Sequence, residues 1–560
     1  MQKFYCLLIL FVMRAITLCG QTTQDNQLTK DIDALLSPEF KSTEPGVAIL
    51  IAKNRQVVYE KAFGTANAEL NTPLQPDMVF RIGSITKQFT AIAILQLAEQ
   101  GKISLQDSLQ QFIKDFPSKG YTITIENLLT HTSGIVDYSN ADTTHNPYIE
   151  REDFTPQKII KYFSYQPLEF KPGTKYNYSN SGYVLLGYII EKVTGQNYHD
   201  YLEENVIRRA GLTHTVYAHE HTIVPNRVSG YTRDRGFYEN AEYQTLSIAF
   251  ACGDLMSTVE DLYQWNNAIL DYKLVKKETL AKAFTSYKLF NEMETGYGYG
   301  WFINEVNGKK CIHHEGQING FIAIEQYFPD DNVFIAIMTN VQSGEDTTDF
   351  STKRFELFNK ISMLSIGKAI TKEIRSNDIS LDDNIGTYSR GKVEFAITKN
   401  KDHLVINLQT GGHFELVPIE GNKFILRGVS PECTVKFLKD KTGQVTEMIS
   451  VQKGKFNWVK LENTEDAKAK ENVEFESYSG KYQLLTMQGA FTTISVENGH
   501  LMAETTTGLA KAELIHIAEN KFKYNDPKID LQFEFIKGKK GKINKIVVTQ
   551  AGEMHSKKIK

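Results

Sequence analysis

The C-terminal third of this chain contains two copies of one sequence pattern, and this repetition constrains its fold more than any other feature. Three groups of residues recur at a steady offset of just under one hundred positions: Gly386-Thr387-Tyr388 with Gly480-Lys481-Tyr482, Asn422-Lys423-Phe424 with Asn520-Lys521-Phe522, and Phe437 before Gly443 with Phe535 before Gly541. A regular offset of this kind indicates a duplicated domain.

Each copy consists of short strand-like runs separated by turns, and each is long enough to close into a small all-β barrel. We therefore place one barrel domain at residues 369–461 and a second at 473–560. The charged stretch 462–471 between them is typical of a solvated linker. Residues 21–368 then form a separate N-terminal domain.

The first twenty residues are predicted to be a secretory leader (signal peptide). An apolar run over residues 4–13 follows a lysine-bearing start and is too short to span a bilayer. Cleavage is expected near Cys19 or Gly20. Lipid attachment at Cys19 is the less favoured alternative, because Leu18 is large for such a site. With no second apolar run of membrane length, the sequence predicts an exported chain, periplasmic or secreted, whose mature part has no membrane span.

Composition narrows the range of partners. There are 63 lysines and arginines against 67 aspartates and glutamates, and no long basic run occurs, so a nucleic-acid partner is not expected. Outside the leader there is an odd number of cysteines: Cys252, Cys311 and Cys433. We expect buried free thiols, with a Cys252–Cys311 disulfide as the alternative. The adjacent His313 and His314 lack helical metal-ligand spacing, so neither a metal nor a cofactor is expected.

Strand-like segments lie at both ends of the N-terminal domain. They cover residues 46–52, 56–59, 299–303, 311–313, 321–324 and 333–337, and turn residues between the later ones indicate antiparallel pairing. Helix and loop dominate from Ser84 to about Ile269, and a last helix runs from Thr352 to about Lys368. The sequence therefore predicts an α/β (α+β) domain in which both ends share one antiparallel sheet beside a helical subdomain.

Ser84 and Lys87 stand where an extended segment turns into a helix. Apolar residues recur at helical spacing from Ile85 to Leu97, and Gly101 stands at the expected C-terminal cap. The two side chains therefore lie one turn apart on one face, and the serine N–H is an unpaired donor of the first turn. Both properties favour acyl transfer with the serine as nucleophile. The same spacing occurs at three other places, so further residues are needed.

A serine hydroxyl needs a base, and an ordinary lysine is protonated at neutral pH. Tyr178 and Asn180 offer a phenol and an amide on one short loop. Lowering a phenol pKa from about 10 to about 7 requires roughly 4 kcal/mol, which one cation at about 4 Å supplies at an effective dielectric of about 20. The magnitudes therefore allow Lys87 to lower the pKa of Tyr178, in which case the two groups would titrate together. Which of the two takes the proton of Ser84 stays open.

Six motifs occur in order over about residues 28–368: Ser84-x-x-Lys87, Leu128-Leu-Thr-His131-Thr-Ser-Gly134, Pro172-Gly-Thr-x-Tyr-x-Tyr178-Ser-Asn180, Ala251-Cys-Gly-Asp-Leu-Met-Ser-Thr258, Tyr297-Gly-Tyr-Gly-Trp301 and His314-Glu-Gly316. This conjunction resembles the serine β-lactamase-like hydrolases, which include class C β-lactamases, D,D-carboxypeptidases, D-aminopeptidases and esterases. The resemblance implies a β-lactamase/penicillin-binding-protein-like transpeptidase fold with the site between its sheet domain and its helical domain. It also selects Tyr178 over Tyr138, which begins a second Tyr-Ser-Asn without the Pro-Gly-Thr turn.

The resemblance also implies roles for the site residues. Ser84 is expected to be the nucleophile, and Lys87 and Tyr178 are expected to transfer its hydroxyl proton. Asn180 is expected to hold the substrate amide, and backbone N–H groups of Ser84 and Gln317 to hold the oxyanion.

One departure from the family concerns the edge strand. Where class C β-lactamases and carboxypeptidases usually carry Lys-Thr-Gly, this chain has His314-Glu315-Gly316. Histidine is largely neutral at pH 7, so efficient β-lactam hydrolysis is not expected. His314 and Gly316 are still expected to bind substrate. The histidine form and the two barrels resemble the D-aminopeptidase layout, and His131 is expected to be a hydrogen-bonded structural residue.

The sequence thus predicts an exported serine hydrolase that forms an acyl-enzyme with small amide or ester substrates, including peptides with D-residues and cell-wall fragments. A β-lactamase or D,D-carboxypeptidase acting on peptidoglycan stem peptides is the alternative enzyme. A catalytically slow protein that senses or binds a ligand is the alternative of another class.

Overall fold

The computed structural model describes residues 26–140, 151–217, 222–306, 308–344, 348–368, 381–390, 393–400, 403–408, 413–420, 423–427, 429, 433–451, 455–461, 475, 477–484, 490–497, 500–506, 511–518, 520–524, 531–538, 542–549 and 553–559. The predicted leader and the 462–471 linker lie outside these residues.

The central sheet of the N-terminal domain is built from β1 Val47–Lys53, β2 Gln56–Phe63, β10 Phe302–Val306, β11 Lys309–Ile318, β12 Phe321–Phe328 and β13 Val333–Thr339. Their order is β10-β11-β12-β13-β1-β2, and all neighbours are antiparallel. Because β1 pairs with β13, both ends of the domain share one sheet, which confirms the prediction. The strand predicted at 299–303 begins only at Phe302, because Gly298 N donates to Trp301 O and Gly300 has φ +93, so the backbone turns there.

Twelve helices belong to the described part of this domain. They are α1 26–36, α2 Thr86–Glu99, α3 Leu109–Phe112, α4 Ile125–Leu129, α5 Pro156–Phe163, α6 Asn180–Thr194, α7 Tyr198–Leu202, α8 Arg208–Ala210, α9 Leu246–Ala249, α10 Val259–Leu270, α11 Lys277–Ala283 and α12 Thr348–Ser365. The short strands are β3 Thr65–Asn67, β4 Thr72–Pro73, β5 Phe80–Arg81, β6 Val216–Tyr217, β7 Tyr231–Asp234, β8 Phe237–Asn240, β9 Leu255–Ser257 and β14 Val341–Ser343.

The sheet is buried on both faces. Alternate residues of β1 belong to different cores: Ala48, Leu50 and Ala52 pack with α2 and α10, whereas Val47, Ile49 and Ile51 pack with α1 and α12. This follows from the period of two along a strand. The sheet is therefore the middle layer of the domain.

Helix α2 runs through the inner core rather than along its edge. Every residue from Thr86 to Leu97 is buried, including Lys87. Phe89 stacks on Trp265 of α10 with ring centroids 4.0 Å apart, and Trp265 Nε1 donates to Gln88 Oε1 at 2.7 Å. The helix that carries Lys87 is thus fixed on all sides.

A buried asparagine joins the sheet to two loops. Asn340, directly after β13, accepts a hydrogen bond from Gly46 N at 2.6 Å and donates to the carbonyls of Thr65 at 3.1 Å and Ser229 at 2.9 Å. It has no exposed surface. One side chain therefore satisfies backbone groups from three separate segments.

The remaining described strands form two closed barrels, as the duplication predicted. The first contains β15 Gly386–Arg390, β16 Val393–Asn400, β17 His403–Leu408, β18 His413–Glu420, β19 Lys423–Leu426, β20 Cys433–Lys439, β21 Val445–Val451 and β22 Lys455–Lys460. The second contains β23 Gly480–Leu484, β24 Phe491–Glu497, β25 His500–Thr505, β26 Ala512–Ala518, β27 Lys521–Tyr524, β28 Gln532–Lys537, β29 Ile543–Thr549 and β30 Glu553–Ile559.

The two barrels share a structural detail beyond their strand order. The buried Tyr388 donates its hydroxyl to the carbonyl of Asn384 at 2.9 Å, and Tyr482 donates to the carbonyl of Tyr478 at 2.6 Å. In each barrel the acceptor lies four residues before the tyrosine of the first strand. The repeated tyrosine of the sequence motif therefore makes the same hydrogen bond in each copy.

The chain divides into two compact units. One contains the N-terminal domain with residues 414–436 and 449–457, and the other contains the remainder of the first barrel and the whole second barrel. The boundaries 21–368, 369–461 and 473–560 stay predictions. Among the described residues, no helix is long and apolar enough to cross a membrane.

We predict that Asn340→Ala destabilises the N-terminal domain by at least about 3 kcal/mol, because three buried backbone groups lose their partner. The midpoint of guanidinium unfolding, followed by tryptophan fluorescence, measures this change. Asn291→Ala is the control, because that residue lies exposed in a loop, and its midpoint should match the wild type. Equal midpoints for both variants would contradict the structural role of Asn340.

Candidate active site

Ser84 lies in a single 3-10 turn, Gly83–Ile85, between β5 and α2. Gly83 has φ +49, and a Cβ on it would lie 2.9 Å from the backbone nitrogen of Gln317. Only glycine fits both constraints. The N-cap residue of α2 is Ile85 and not Ser84, and the Ser84 hydroxyl lies within hydrogen-bond distance of Lys87.

Lys87 has no exposed surface, and its nitrogen lies within hydrogen-bond distance of three oxygens. Nζ is 3.0 Å from Ser84 Oγ, 2.8 Å from Asn180 Oδ1 and 2.9 Å from the Cys252 carbonyl oxygen. Burial lowers the pKa of Lys87 from 10.5 to about 8, while Cys252 and Asp137 act in the opposite direction. Near pH 8 the side chain therefore exists in both protonation states.

The partners of Lys87 determine where its lone pair points. The amide oxygen of Asn180 and the carbonyl of Cys252 accept hydrogen bonds and cannot donate them. When the two hydrogens of a neutral amine bind these oxygens, the lone pair faces Ser84, whose hydroxyl can donate. The arrangement suits proton transfer from Ser84 to Lys87.

Asp137, which sequence reasoning missed, fixes the orientation of Asn180. Its Oδ2 accepts from Asn180 N at 3.0 Å and Asn180 Nδ2 at 3.2 Å, and its Oδ1 accepts from Ser139 N and Ser139 Oγ, both at 2.9 Å. Because an ionised carboxylate only accepts, Nδ2 of Asn180 must face it and Oδ1 must face Lys87. The signal in the sequence was a single acid in an apolar stretch after the Thr-Ser-Gly motif.

Tyr178 reaches the same serine. Its side chain is hydrogen-bonded to Ser84, and Lys87 Nζ lies 4.8 Å from its ring centroid. Loss of water around its hydroxyl raises the pKa of Tyr178 above the usual 10, and the bond to Ser84 offsets this only in part. The pKa of Tyr178 is therefore raised and not lowered as the sequence argument allowed, because desolvation is the largest contribution.

His131 holds the loop that carries Tyr178 and Asn180. Its Nδ1 accepts from Ser179 N at 3.1 Å, and its carbonyl accepts from Asn177 N at 3.0 Å. Burial, with a smaller effect of Lys87, keeps the pKa of His131 well below 6.5. The prediction of a hydrogen-bonded structural histidine is confirmed.

Strand β11 brings its glycine against the serine turn. A Cβ on Gly316 would lie 1.8 Å from the carbonyl oxygen of Ile82 and 3.0 Å from Ser84 N. This contact requires glycine and puts the following residue, Gln317, beside the turn. Gln317 and Ser84 both line the cavity described below.

His314 is not one of the described residues that line the cavity beside Ser84. The ring is 1% exposed, and burial keeps its pKa well below 6.5. Nδ1 donates to the carbonyl of Glu315 at 2.6 Å, so the neutral ring accepts at Nε2 from the hydroxyl of Tyr297, 3.0 Å away. Both ring nitrogens have partners within the protein, and the substrate contact of His314 stays a prediction.

A cavity of about 210 Å³ opens beside Ser84. Its described walls are mostly apolar or uncharged and include Gly83, Ser84, Tyr138, Ser139, Phe154, Ile159, Tyr162, Asn180, Gln244, Ile248, Ala249, Cys252, Gly253, Gln317 and Ile318. Tyr138 and Ser139, from the second Tyr-Ser-Asn, thus belong to the cavity wall. Tyr138 OH donates to the carbonyl of Ile248 at 2.6 Å.

The cysteines outside the predicted leader are considered together with possible metal sites, because thiols can bind metal ions. Cys252, Cys311 and Cys433 are buried free thiols, as predicted. Within the part of the chain that the structure describes, no group of three or more His, Cys, Asp or Glu side chains is arranged to hold a metal ion.

Comparison with known proteins agrees with this geometry. A solved structure of the octameric penicillin-binding protein homologue from Pyrococcus abyssi covers 78% of this chain and 99% of its own, at 27% identity and a TM-score of 0.54. A D-amino acid amidase from Ochrobactrum anthropi SV3, solved with L-phenylalanine amide, covers 58% of this chain and 93% of its own, at 25% identity and a TM-score of 0.51.

Sequence comparison leads to the same group of proteins. PbpX of Bacillus subtilis (strain 168) is 29% identical over 342 residues, which are 61% of this chain and 82% of that protein. The family model described as Beta-lactamase matches residues 30–355, more than half of the chain. The resemblance predicted from the motifs is confirmed, and the chain belongs to the Beta-lactamase family.

Proposed function

We propose that this chain is an exported serine hydrolase that cleaves small amide or ester substrates through a covalent acyl-enzyme on Ser84. The observation that carries the proposal is the contact of a buried lysine, with a pKa of about 8, with the serine hydroxyl at 3.0 Å. A serine in this setting is activated by an adjacent base. Members of this family are serine hydrolases, which supports the reaction class.

In the acylation step, Lys87 takes the hydroxyl proton of Ser84 while Oγ forms a bond to the substrate carbonyl carbon. The oxyanion is held by the backbone N–H groups of Ser84 and Gln317. As the bond to the leaving group breaks, the leaving nitrogen or oxygen takes a proton from Tyr178, and Lys87 returns a proton to that phenol. In deacylation, water attacks the ester carbonyl carbon while neutral Lys87 takes one of the water protons. The bond between that carbon and Ser84 Oγ then breaks, Lys87 returns the proton to Oγ, and the acid is released.

The assignment of Lys87 as base follows from the opposite pKa shifts of the two candidates. The pKa of Lys87 is lowered toward neutrality, whereas that of Tyr178 is raised. A tyrosine that stays protonated can give up its proton to a leaving group but cannot take the proton of Ser84. We therefore assign Lys87 as general base and Tyr178 as general acid.

The cavity favours an uncharged substrate. Its described walls carry no lysine, arginine or histidine side chain that could pair with a substrate carboxylate. Asp137 already accepts four hydrogen bonds, two from Ser139 and two from Asn180, which leaves little capacity for a substrate ammonium. We propose uncharged amides and esters, N-blocked D-residue peptide amides among them, over β-lactams and peptidoglycan stem peptides, which carry a carboxylate on the leaving-group side of the scissile bond.

We predict that a fluorophosphonate adds one label to the wild type and none to Ser84→Ala, whereas a penicillin leaves both unlabelled. Intact mass measurement detects either adduct. A penicillin adduct would instead favour the β-lactamase or carboxypeptidase alternative. An ester substrate that acylates Ser84 once and is never released would favour the ligand-sensing alternative.

The rate should rise with pH. Because Lys87 must be neutral to accept a proton, kcat/KM is expected to increase through an inflection near pH 8 and to level off above it. Lys87→Arg should lose at least about 10³-fold at every pH, since a guanidinium does not deprotonate. Lys61→Arg, in an exposed ion pair with Asp33, is the control. Substantial turnover by Lys87→Arg would remove the lysine from the mechanism.

Tyr178→Phe should affect substrates according to their leaving groups. Amide cleavage, which needs a proton on the leaving nitrogen, should fall by about 10²–10⁴-fold. Acylation by a p-nitrophenyl ester, whose leaving group needs no proton, should fall far less in a stopped-flow burst. Tyr176→Phe is the control, because its ring lies in the same aromatic cluster. Equal losses on both substrates would contradict the general-acid role.

A further inference from the structure

The third partner of Lys87 is a main-chain carbonyl, and its place depends on residues 250–255, which we call the carbonyl segment. Cys252 lies in a 3-10 turn that starts at Phe250, whose φ of +41 is unusual for a bulky residue. Both Gly253 N and Asp254 N donate to the carbonyl of Phe250, at 3.0 and 3.2 Å. A strained turn of this kind persists only where its surroundings hold it.

Helix α2 holds the segment on either side of Lys87. Thr90 Oγ1 donates to the carbonyl of Ala251 at 2.7 Å, and Leu255 N donates to Thr86 Oγ1 at 3.1 Å. The bond from Lys87 to Cys252 lies between these two. The segment is therefore aligned with the first turn of α2 by one bond before and one bond after the lysine contact.

Two consecutive residues of α7 hold the segment from the other side. His199 Nε2 lies 2.5 Å from Asp254 Oδ2, and the Tyr198 hydroxyl lies 2.7 Å from Thr90 Oγ1. Since the single hydroxyl hydrogen of Thr90 points to the nearby carbonyl of Ala251, Tyr198 is the donor to Thr90. Both residues thus act on the segment that carries the Cys252 carbonyl.

The contact with His199 is the main compensation for a buried charge. Asp254 has no exposed surface, and its other oxygen, Oδ1, has no hydrogen-bond partner within the described ranges. Burial raises the pKa of Asp254, and His199 opposes that shift. Removing the His199 donor would leave the carboxylate with only a backbone hydrogen bond from its own residue, which is costly for a buried charge.

We propose that Tyr198 and His199 are positioning residues, which hold the carbonyl segment so that the Cys252 carbonyl meets Lys87. The inference rests on the proposed function, because it assigns these residues to the action of the lysine base. Neither residue touches Ser84 or lines the cavity, so neither is a catalytic residue.

The titratable and aromatic groups around Lys87 and around the His199–Asp254 pair include the carboxyl groups of Asp137 and Glu191. Those with an electrostatic or ring contact to Lys87 are Tyr178, Tyr183, Cys252, Asp137, His131 and His314. Those in contact with the His199–Asp254 pair are Tyr198, Tyr217 and Phe250, together with Cys252, Tyr138 and Glu191 through longer-range interactions.

His199→Phe tests the proposal on the full-length protein. Phenylalanine keeps the stacking on Tyr217, whose ring lies 3.4 Å away, but lacks the Nε2 donor. The concentration of active sites is first measured by titration with a fluorophosphonate. Per active site, kcat/KM of His199→Phe on a p-nitrophenyl ester should fall by at least about tenfold. The pH inflection of Lys87 should move down by about half a unit or more, because a carbonyl that accepts from the ammonium favours its charged form.

Three further variants make the test specific. His199→Gln keeps an N–H donor and should stay within about threefold of the wild type with the inflection unmoved. Tyr198→Phe should shift the inflection in the same direction as His199→Phe. His214→Phe is the matched control, since that histidine is half exposed and its ring stays 3.9 Å from Asp261; it should change nothing.

The outcomes separate this inference from the proposed function. If the wild type shows no Ser84-dependent adduct or turnover, the proposed function fails. If the wild type turns over but His199→Phe keeps its rate per titrated site and its inflection, the positioning role is overturned. It is also overturned if His199→Gln is as impaired as His199→Phe. Should His199→Phe yield no titratable sites, an unmoved inflection in Tyr198→Phe overturns the proposal.

Discussion

The proposed chemistry of this protein depends on one buried amine that lies between three oxygens. Lys87 is fully buried, so its pKa lies near 8 instead of 10.5, and its hydrogens are bound by Asn180 and Cys252. These partners come from segments more than ninety residues away along the chain. They meet at Lys87 because α6, which begins at Asn180, and the 3-10 turn that contains Cys252 both pack against α2. The fold is thus the means of directing one lone pair at Ser84.

The contact between Ser84 and Lys87, which are close along the chain, could be predicted from the residues alone, whereas the contacts between distant segments could not. Ser84 and Lys87 are three residues apart on one helix start, so helical geometry alone brings them together. Tyr178 and Asn180 were assigned through the family resemblance. Asp137 was missed because its importance comes from four hydrogen bonds that exist only after folding.

The raised pKa of Tyr178 has a physical cause that applies beyond this protein. One cation at about 4 Å contributes roughly 4 kcal/mol at an effective dielectric of about 20, and the sequence argument counted that term alone. Desolvation of a buried phenol shifts its pKa upward by up to 3–5 units, in the opposite direction. Burial was not visible in the sequence, nor was the inward placement of His314. The barrels, by contrast, were predicted correctly because a repeat and a strand pattern survive any detail of packing.

Burial moves the histidines and tyrosines around Lys87 toward their neutral forms. It lowers the pKa values of His131 and His314 and raises those of Tyr178 and Tyr297. In the proposed acylation step, the ammonium that forms when Ser84 gives up its proton therefore gains little from these neighbours. Burial lowers the pKa of Lys87, while Cys252 and, to a smaller extent, Asp137 act in the opposite direction. Asn180 connects Asp137 to the amine, since it bonds Lys87 on one side and the carboxylate of Asp137 on the other. The balance leaves the pKa of Lys87 at about 8, close to the pH range in which a general base works best.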